Sequence, residues 1–412
     1  MRKIAILWCA SILSAIAQVD LWDLPPIRYA DRASRDRLAG LAEKWQRDPS
    51  SLRGKTDVAR LQEILRALGV PQESQILVYS KTSKQNALIH PGNPRALYFS
   101  LDCYVGYVPG GMVEVIIHDS QLGPVFYLID WNRAAQTVRV ERDTSDCLSC
   151  HGTGRTEHVP GLLVRSVFPD ETGQPLLQLG SELVMHDTPI AKRWGGYYVT
   201  GSIALPHLGN QTFVAEKTAK PMFSELRDVK KRVPTELYPC DTSDVIALLV
   251  LEHQCHAHNL MTAARMNYER ARFLSLSIAP DDDPDMGSAG RVAEQAAQRI
   301  VDWFLFRGEA SLGDDGVTGH EAFQKAWTAL VPQAANGDSL ADFQCHTRIF
   351  KNRCSYMMYS EAYRSLPDAI RRRVTEKIKN LLEKPAVADA YADIKASERR
   401  RILKILRDTG VL

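Results

Sequence analysis

The chemistry in this chain concentrates at Cys147-Leu148-Ser149-Cys150-His151. Two thiols three positions apart reach the two vinyl groups on one edge of a porphyrin and form thioethers, and an imidazole next to the second thiol reaches the iron from one face. The pattern is that of covalent c-type haem attachment, with Cys147 and Cys150 as the attachment residues and His151 as the proximal iron ligand. A thioredoxin-like dithiol also carries C-x-x-C, but it opens a helix in a βαβ setting, and His151-Gly152-Thr153-Gly154 is a poor helix start. Residues 147–154 also fit the C-x-x-C-x-G-x-G element of the J-domain chaperone zinc centre. Structural zinc takes four ligands, usually as two such pairs, and no second C-x-x-C occurs here.

The opposite face of the iron has five candidates near the motif: His158, Met185, His186, His207 and Met222. A methionine raises the reduction potential, a second histidine lowers it, and an open position allows ligand binding. His207 is the preferred distal ligand, because Pro206-His-Leu-Gly-Asn210 is a turn that follows an expected strand. A second cluster holds Glu252, His253, Cys255, His256 and His258. At helical spacing His253 and His256 share one face, and Cys255 and His258 another. The apolar run 245–251 before it and the missing H-E-x-x-H order favour buried, hydrogen-bonded polar groups over a metal site. Trp194, Tyr197 and Tyr198 are candidates to line a porphyrin face or to pack an ordinary sheet.

The N-terminus agrees with the motif. Met1-Arg2-Lys3, an apolar run to about Leu13 and Ala15-Ile16-Ala17 form a secretory signal, with cleavage expected after Ala17. The run is shorter than the ~20 residues of a spanning helix, so no membrane span is expected after cleavage. A lipid anchor at Cys9 is disfavoured by Trp8 before it. A periplasmic or secreted location follows, the compartment in which c-type haem is attached. Cleavage removes two of the 51 basic residues and none of the 49 acidic ones, leaving a net charge of zero. That balance gives no footprint for nucleic acid.

If Cys147 and Cys150 hold haem, the mature chain keeps Cys103, Cys240, Cys255, Cys345 and Cys354. At most two disulfides form, and Cys345 with Cys354 is the preferred pair on closeness alone.

Of the 412 residues 45% are apolar and 24% charged, a globular composition. Helical spacing covers 38–47 and 57–68, stopped by Gly69. Short β-rich runs follow at 76–79, 96–100, 104–108, 113–117, 125–129 and 137–140, between Gly- and Pro-containing turns, and predict an antiparallel sheet. Further strands are expected at 162–168, 176–184 and 197–205, on the far side of the motif. From residue 241 the pattern is helical: 243–275, 291–306, 321–330, 343–363, 367–382 and 397–407. Thr318 with Glu321 suggests a capping box, Pro367 a first turn and Gly410 a helix stop. Asp281 to Asp285 lacks EF-hand spacing and reads as a solvated linker. The expected fold is α+β: a signal at 1–17, a β-rich haem-bearing region at 18–220 with N-terminal helices, and an all-α region at 221–412.

The mature chain resembles a group of secreted bacterial proteins described as cytochrome c domain-containing. The likeness runs through 76–83 (ILVYSKTS), 104–111 (YVGYVPGG), 147–152, 159–170 (VPGLLVRSVFPD), 193–201 (RWGGYYVTG), 207–210, 252–259, 354–359 and 402–410. It implies haem and iron binding and electron transfer with a redox partner protein, and names no substrate. The segment of that group matching 252–259 lacks counterparts of Cys255 and His256, which speaks further against a metal cluster there. The motif lies between β-rich segments, so neither the all-helical fold of small cytochromes c nor their methionine ligand is carried over. Three activities fit: a single-haem electron carrier first, then a haem-based ligand sensor, then a peroxidase-like enzyme.

Overall fold

The computed structural model describes residues 20–412 apart from 53, 133–134, 136, 215–225, 227, 281–282, 284–286 and 385–388. The signal segment, Cys9 and Met222 lie outside the described residues, as does most of the 281–285 segment.

Two N-terminal helices, α1 (Arg37–Arg47) and α2 (Asp57–Leu68), start where side chains cap them. Asp36 accepts from Ala39 N and Thr56 from Ala59 N. Gly69 closes α2 in the left-handed region at φ 68°. The sheet follows as β1 (Ile76–Val78), β2 (Arg95–Phe99), β3 (Cys103–Tyr107), β4 (Val113–Asp119), β5 (Gly123–Asn132) and β6 (Thr137–Asp143). These pair antiparallel in sequence order, each strand hydrogen-bonded to the next. Each predicted run became a strand, with residues such as Leu77, Ala96 and Val105 in the core that contains α1 and α2 and Ile76, Val78 and Phe99 in the core of the helical half, as the pleat's alternation requires.

Past the sheet lies α3 (Leu148–His151), a single turn holding the motif. Here the fold is less regular than the sequence pattern suggests. The expected strands reduce to β7 (Arg165–Val167) paired with β8 (Ser181–Leu183), and to β9 (Ser202–Ile203). The 197–205 segment is held instead by isolated bridges, Tyr197 to Val78 and Thr200 to Asp244. Residues 197–200 are buried without alternation while 201–205 are more exposed, and burial without alternation does not distinguish a strand from a packed loop.

The helical half begins with α4 (Val245–Ile278), capped by Asp244, and α5 (Gly287–Phe304) packs along it. A short β10 (Val317–Thr318) reaches back to pair with β9. Then come α6 (Glu321–Thr328), α7 (Glu361–Arg364), α8 (Asp368–Glu383) and α9 (Ala396–Asp408). Two expectations fail here. His320, not Thr318, occupies the cap position of α6, because Thr318 is taken by the β10 pairing. The 343–363 segment is not one helix: Phe343 bridges Phe350, and only a 3-10 turn at Tyr356–Tyr359 and α7 are helical. Buried Asn352, Ser355 and Ser360 bind nearby backbone there, the competition that keeps such residues out of helix interiors.

Two hydrophobic cores form. One joins α1, α2 and the sheet to the motif through Leu148 and Val159 and to α4 through Ala263 and Met266. The other joins Ile76, Phe99 and Tyr104 to most of the helical half. Both draw on residues from each side of position 220, and α4 contributes to both. The fold is α+β, and no described helix is long and apolar enough to cross a membrane.

Candidate functional site

Residues 143–162 form a compact turn built on the end of β6. Asp143 Oδ1 accepts from Ser145 N at 3.0 Å and Cys147 N at 3.1 Å, capping the turn that α3 completes. Burial alone would raise the Asp143 carboxyl, but these N–H donors and Lys84 pull it below its usual range. Leu148 points into the core. Gly152 lies under the Trp22 indole, where a Cβ would stand 2.5 Å from Cη2.

Cys150 is exposed and Cys147 partly buried, both as free thiols. Burial, then the nearby Asp143 carboxylate, pushes the Cys147 thiol up to about 12. Redox dithiols depend on a lowered thiol. This environment does the opposite, so it does not suit a dithiol oxidoreductase.

His151 packs against Phe126 of β5 with ring centroids 5.2 Å apart. Its Nδ1 lies 2.9 Å from the carbonyl oxygen of Gly161. A carbonyl can only accept, so Nδ1 carries the proton, and burial keeps the ring neutral by lowering its pKa. The lone pair therefore sits on Nε2. Metal-bound histidines have this arrangement, one nitrogen donating to a carbonyl and the other facing the metal. The Cys147, Cys150 and His151 set thus fits a haem held by two thioethers and one imidazole. Beside it, on the same face of the sheet, Glu114 of β4 pairs with Arg95 of β2 and accepts from Ser83 at 3.0 Å and Gln85 at 3.1 Å.

The distal candidates scatter. The ring of His158 is exposed and lies over Gly154, beside the motif. Met185 is partly buried in the helical-half core. His186 stacks on Trp303 with centroids 3.5 Å apart, and its Nδ1 is 2.8 Å from His253 Nδ1. His207 sits in the predicted turn, but its ring packs edge-on against Trp194 at 5.1 Å, and its Nδ1 accepts from Gly209 N at 3.0 Å. It borders a cavity lined by Val199, Leu205, Asn210, Thr318 and His320. With the Nδ1 lone pair taken, the proton is on Nε2, so iron ligation by His207 requires that bond to break.

The second cluster is a buried polar network. Glu252, 0% exposed, accepts from Arg193 Nη1 at 2.5 Å and Trp194 Nε1 at 2.6 Å. Arg193 spends its other donors on the carbonyls of Thr188 at 2.7 Å and His186 at 2.9 Å. His253 Nε2 lies 2.7 Å from Ser355 Oγ. The faces fall as the spacing predicts, with His253 and His256 against Trp303 and His258 against Tyr104. Among the described residues no three His, Cys, Asp or Glu side chains converge to hold a metal ion. Trp194 serves this network, and Tyr198 bonds the Pro91 carbonyl at 2.8 Å and packs on Tyr79, so both have structural roles away from the motif.

The Cys345–Cys354 pairing is not formed. Cys354 is fully buried with its thiol 3.6 Å from Met358 sulfur, while Cys345 lies in the turn that meets β10. Sequence closeness does not make the two side chains converge.

The residue that sequence reasoning missed is Asn259. Its side chain holds both backbone groups of Leu162, next to the Gly161 carbonyl that orients His151. The available signal was its place at the end of the polar cluster 252–259 on a helix that begins with the apolar run 245–251. The fold is α+β, and one turn brings Cys147, Cys150 and His151 together at the end of β6. No family model matches the chain, and no curated protein or solved structure is significantly similar to it.

Proposed function

We propose that this chain is an exported c-type haem protein with one haem on Cys147 and Cys150, functioning in electron transfer. The observation that carries the reading is the Nδ1 bond from His151 to Gly161, which leaves Nε2 as the free lone pair beside two unpaired thiols. When bound, the haem supplies a one-electron iron couple. The protein's part is to hold the imidazole in one tautomer, to offer exposed Cys150 and turn-held Cys147 to the vinyl edge, and to keep the motif packed through Leu148 and Trp22. The same reading places the mature protein in the periplasm or outside the cell, with a redox protein as partner.

The test is expression in a host that attaches c-type haem. Denatured wild-type protein should retain haem, Cys147→Ala or Cys150→Ala should each lose one thioether, and the double variant should lose covalent haem. Wild-type protein that releases all its haem on denaturation overturns the proposal.

A second reading, a ligand-binding or sensing haem protein, draws support from His207, whose Nδ1 accepts from Gly209 N, and from His186, which is buried in a stack on Trp303 and hydrogen-bonded to His253. Carbon monoxide separates the readings: rapid binding to the ferrous form favours a sensor. A six-coordinate low-spin spectrum lost in His207→Ala favours the electron carrier with His207 as distal ligand.

A further inference from the structure

The orientation of His151 is fixed through a chain of contacts that ends on the helical half. Gly161 N donates to the His151 carbonyl at 2.8 Å while the Gly161 carbonyl accepts from Nδ1 at 2.9 Å, so the two residues close a ring. Thr156, fully buried, has its hydroxyl 3.1 Å from the His151 carbonyl and 2.9 Å from that of Val159, bracing the inside of the turn.

The next residue, Leu162, lies outside any strand, and its backbone groups are satisfied by one side chain. Its N–H donates to Asn259 Oδ1 at 2.8 Å and its carbonyl accepts from Asn259 Nδ2 at 2.6 Å. Asn259 is 2% exposed and sits in the middle of α4. The fit is close: a Cβ on Gly161 would stand 2.5 Å from Asn259 Oδ1 and 2.8 Å from Thr156 Cβ. No side chain larger than glycine's hydrogen fits at 161 without a shift, and movement of this backbone away from α4 breaks two buried hydrogen bonds.

We propose that Asn259 is the positioning residue for the proximal imidazole, and that the helical half governs how firmly His151 holds iron. This rests on the haem reading above. The physical basis is that the carbonyl partner of a metal-bound histidine fixes its tautomer and raises its basicity. Losing such a partner costs about 10–100-fold in metal affinity. Asn259 does not touch His151; it acts by holding the acceptor in place.

Acid displacement of the imidazole from iron reads this directly, because a proton competes with iron for Nε2. A 10–100-fold weaker bond raises the midpoint of that one-proton competition by about one to two pH units. The experiment uses full-length protein carrying covalent haem, titrated with acid while the Soret band, which responds to loss of the His151 ligand in either spin state, and far-UV circular dichroism are followed together. Asn259→Ala should raise the ligand-loss midpoint by that amount with helix content retained. Asn259→Asp, which keeps the acceptor for Leu162 N–H, should recover part of it and remains readable if the alanine variant does not fold.

Asn352→Ala is the control. Asn352 is equally buried and also makes two hydrogen bonds, to the Ser339 carbonyl at 2.7 Å and from Arg401 at 2.6 Å, far along the chain in the helical half. An unchanged midpoint in both Asn259 variants, or an equal shift in Asn352→Ala, overturns the inference. Failure of wild-type protein to hold covalent haem is seen before any variant is titrated, and refutes the earlier reading instead.

Discussion

Removing the Arg193 guanidinium should destabilise this fold more than any single surface change. Arg193 and Glu252 are 1% and 0% exposed, and every guanidinium nitrogen has a partner: the Glu252 carboxylate, the Thr188 carbonyl and the His186 carbonyl. Arg193→Met fills similar volume but leaves Glu252 with Trp194 as its remaining donor. Breaking a buried pair from one side costs about 3–5 kcal/mol, a large share of the roughly 5–15 kcal/mol that holds a protein folded. The double variant Arg193→Met/Glu252→Leu removes the orphaned charge and should recover about 1 kcal/mol or more of that loss.

The same substitution has a pH signature. Burial raises the Glu252 carboxyl and Arg193 opposes that rise. Without Arg193 the folded-state value climbs further above the unfolded value of about 4.3. A carboxyl raised in the folded state gains stability as pH falls through its folded value toward its unfolded one, and loses it as pH rises. Arg193→Met should therefore be less defective at about pH 5.5 than at about pH 8. Urea unfolding followed by tryptophan fluorescence at both pH values measures this. A cost under about 1 kcal/mol at the higher pH, or a larger defect in acid, would refute the assignment of this cluster as a charge-paired structural network.

Two further outcomes concern buried histidines. His118 of β4 has both ring nitrogens buried without a partner, beside His258 at 5.4 Å between centroids. His118→Phe should be neutral or stabilising by about 1 kcal/mol in chemical denaturation, and a loss above about 1 kcal/mol would mean that the imidazole has a ligand of its own. The protein without haem should also weaken in acid. His118, His186 and His253 are all held below their usual range, chiefly by burial, with His253 at about 3, so unfolding takes up protons below about pH 6.5 and stability falls as pH drops. Asp244 and Glu309, each raised to about 7 by burial, oppose this, because their folded forms bind protons first. The acid stability is set by the balance between these two opposing groups. Asp244→Asn removes one opposing carboxyl and should steepen the loss of stability in acid by up to about 1.4 kcal/mol per pH unit near pH 5, and a slope that flattens instead would contradict the assignment.

Local sequence was enough to determine the elements whose information is local. The six strands are bounded by turn residues, α2 runs from its Thr56 cap to Gly69, and the spacing of Cys147, Cys150 and His151 puts all three on one helical turn. Helix faces on α4 were equally legible, because 3.6 residues per turn fixes which side chains share a side. Tertiary structure decided what those sides meet. Nothing near position 193 in the chain announces that its guanidinium will neutralise Glu252, and the long 343–363 run is apolar enough for a helix until Asn352 and Ser355 find backbone partners that turn it. The tyrosines and tryptophan at 194–198 suit a porphyrin face by composition, yet Trp194 belongs to Glu252 and Tyr198 to Pro91. Most clearly, Cys147, Cys150 and His151 are adjacent in sequence, whereas the Gly161 carbonyl that His151 Nδ1 meets is followed by Leu162, whose backbone is held by Asn259, 108 positions along the chain from His151. Residue types and their spacing reside in neighbouring positions, but the direction of an imidazole is set by whatever packs behind it, and that is a property of the folded chain.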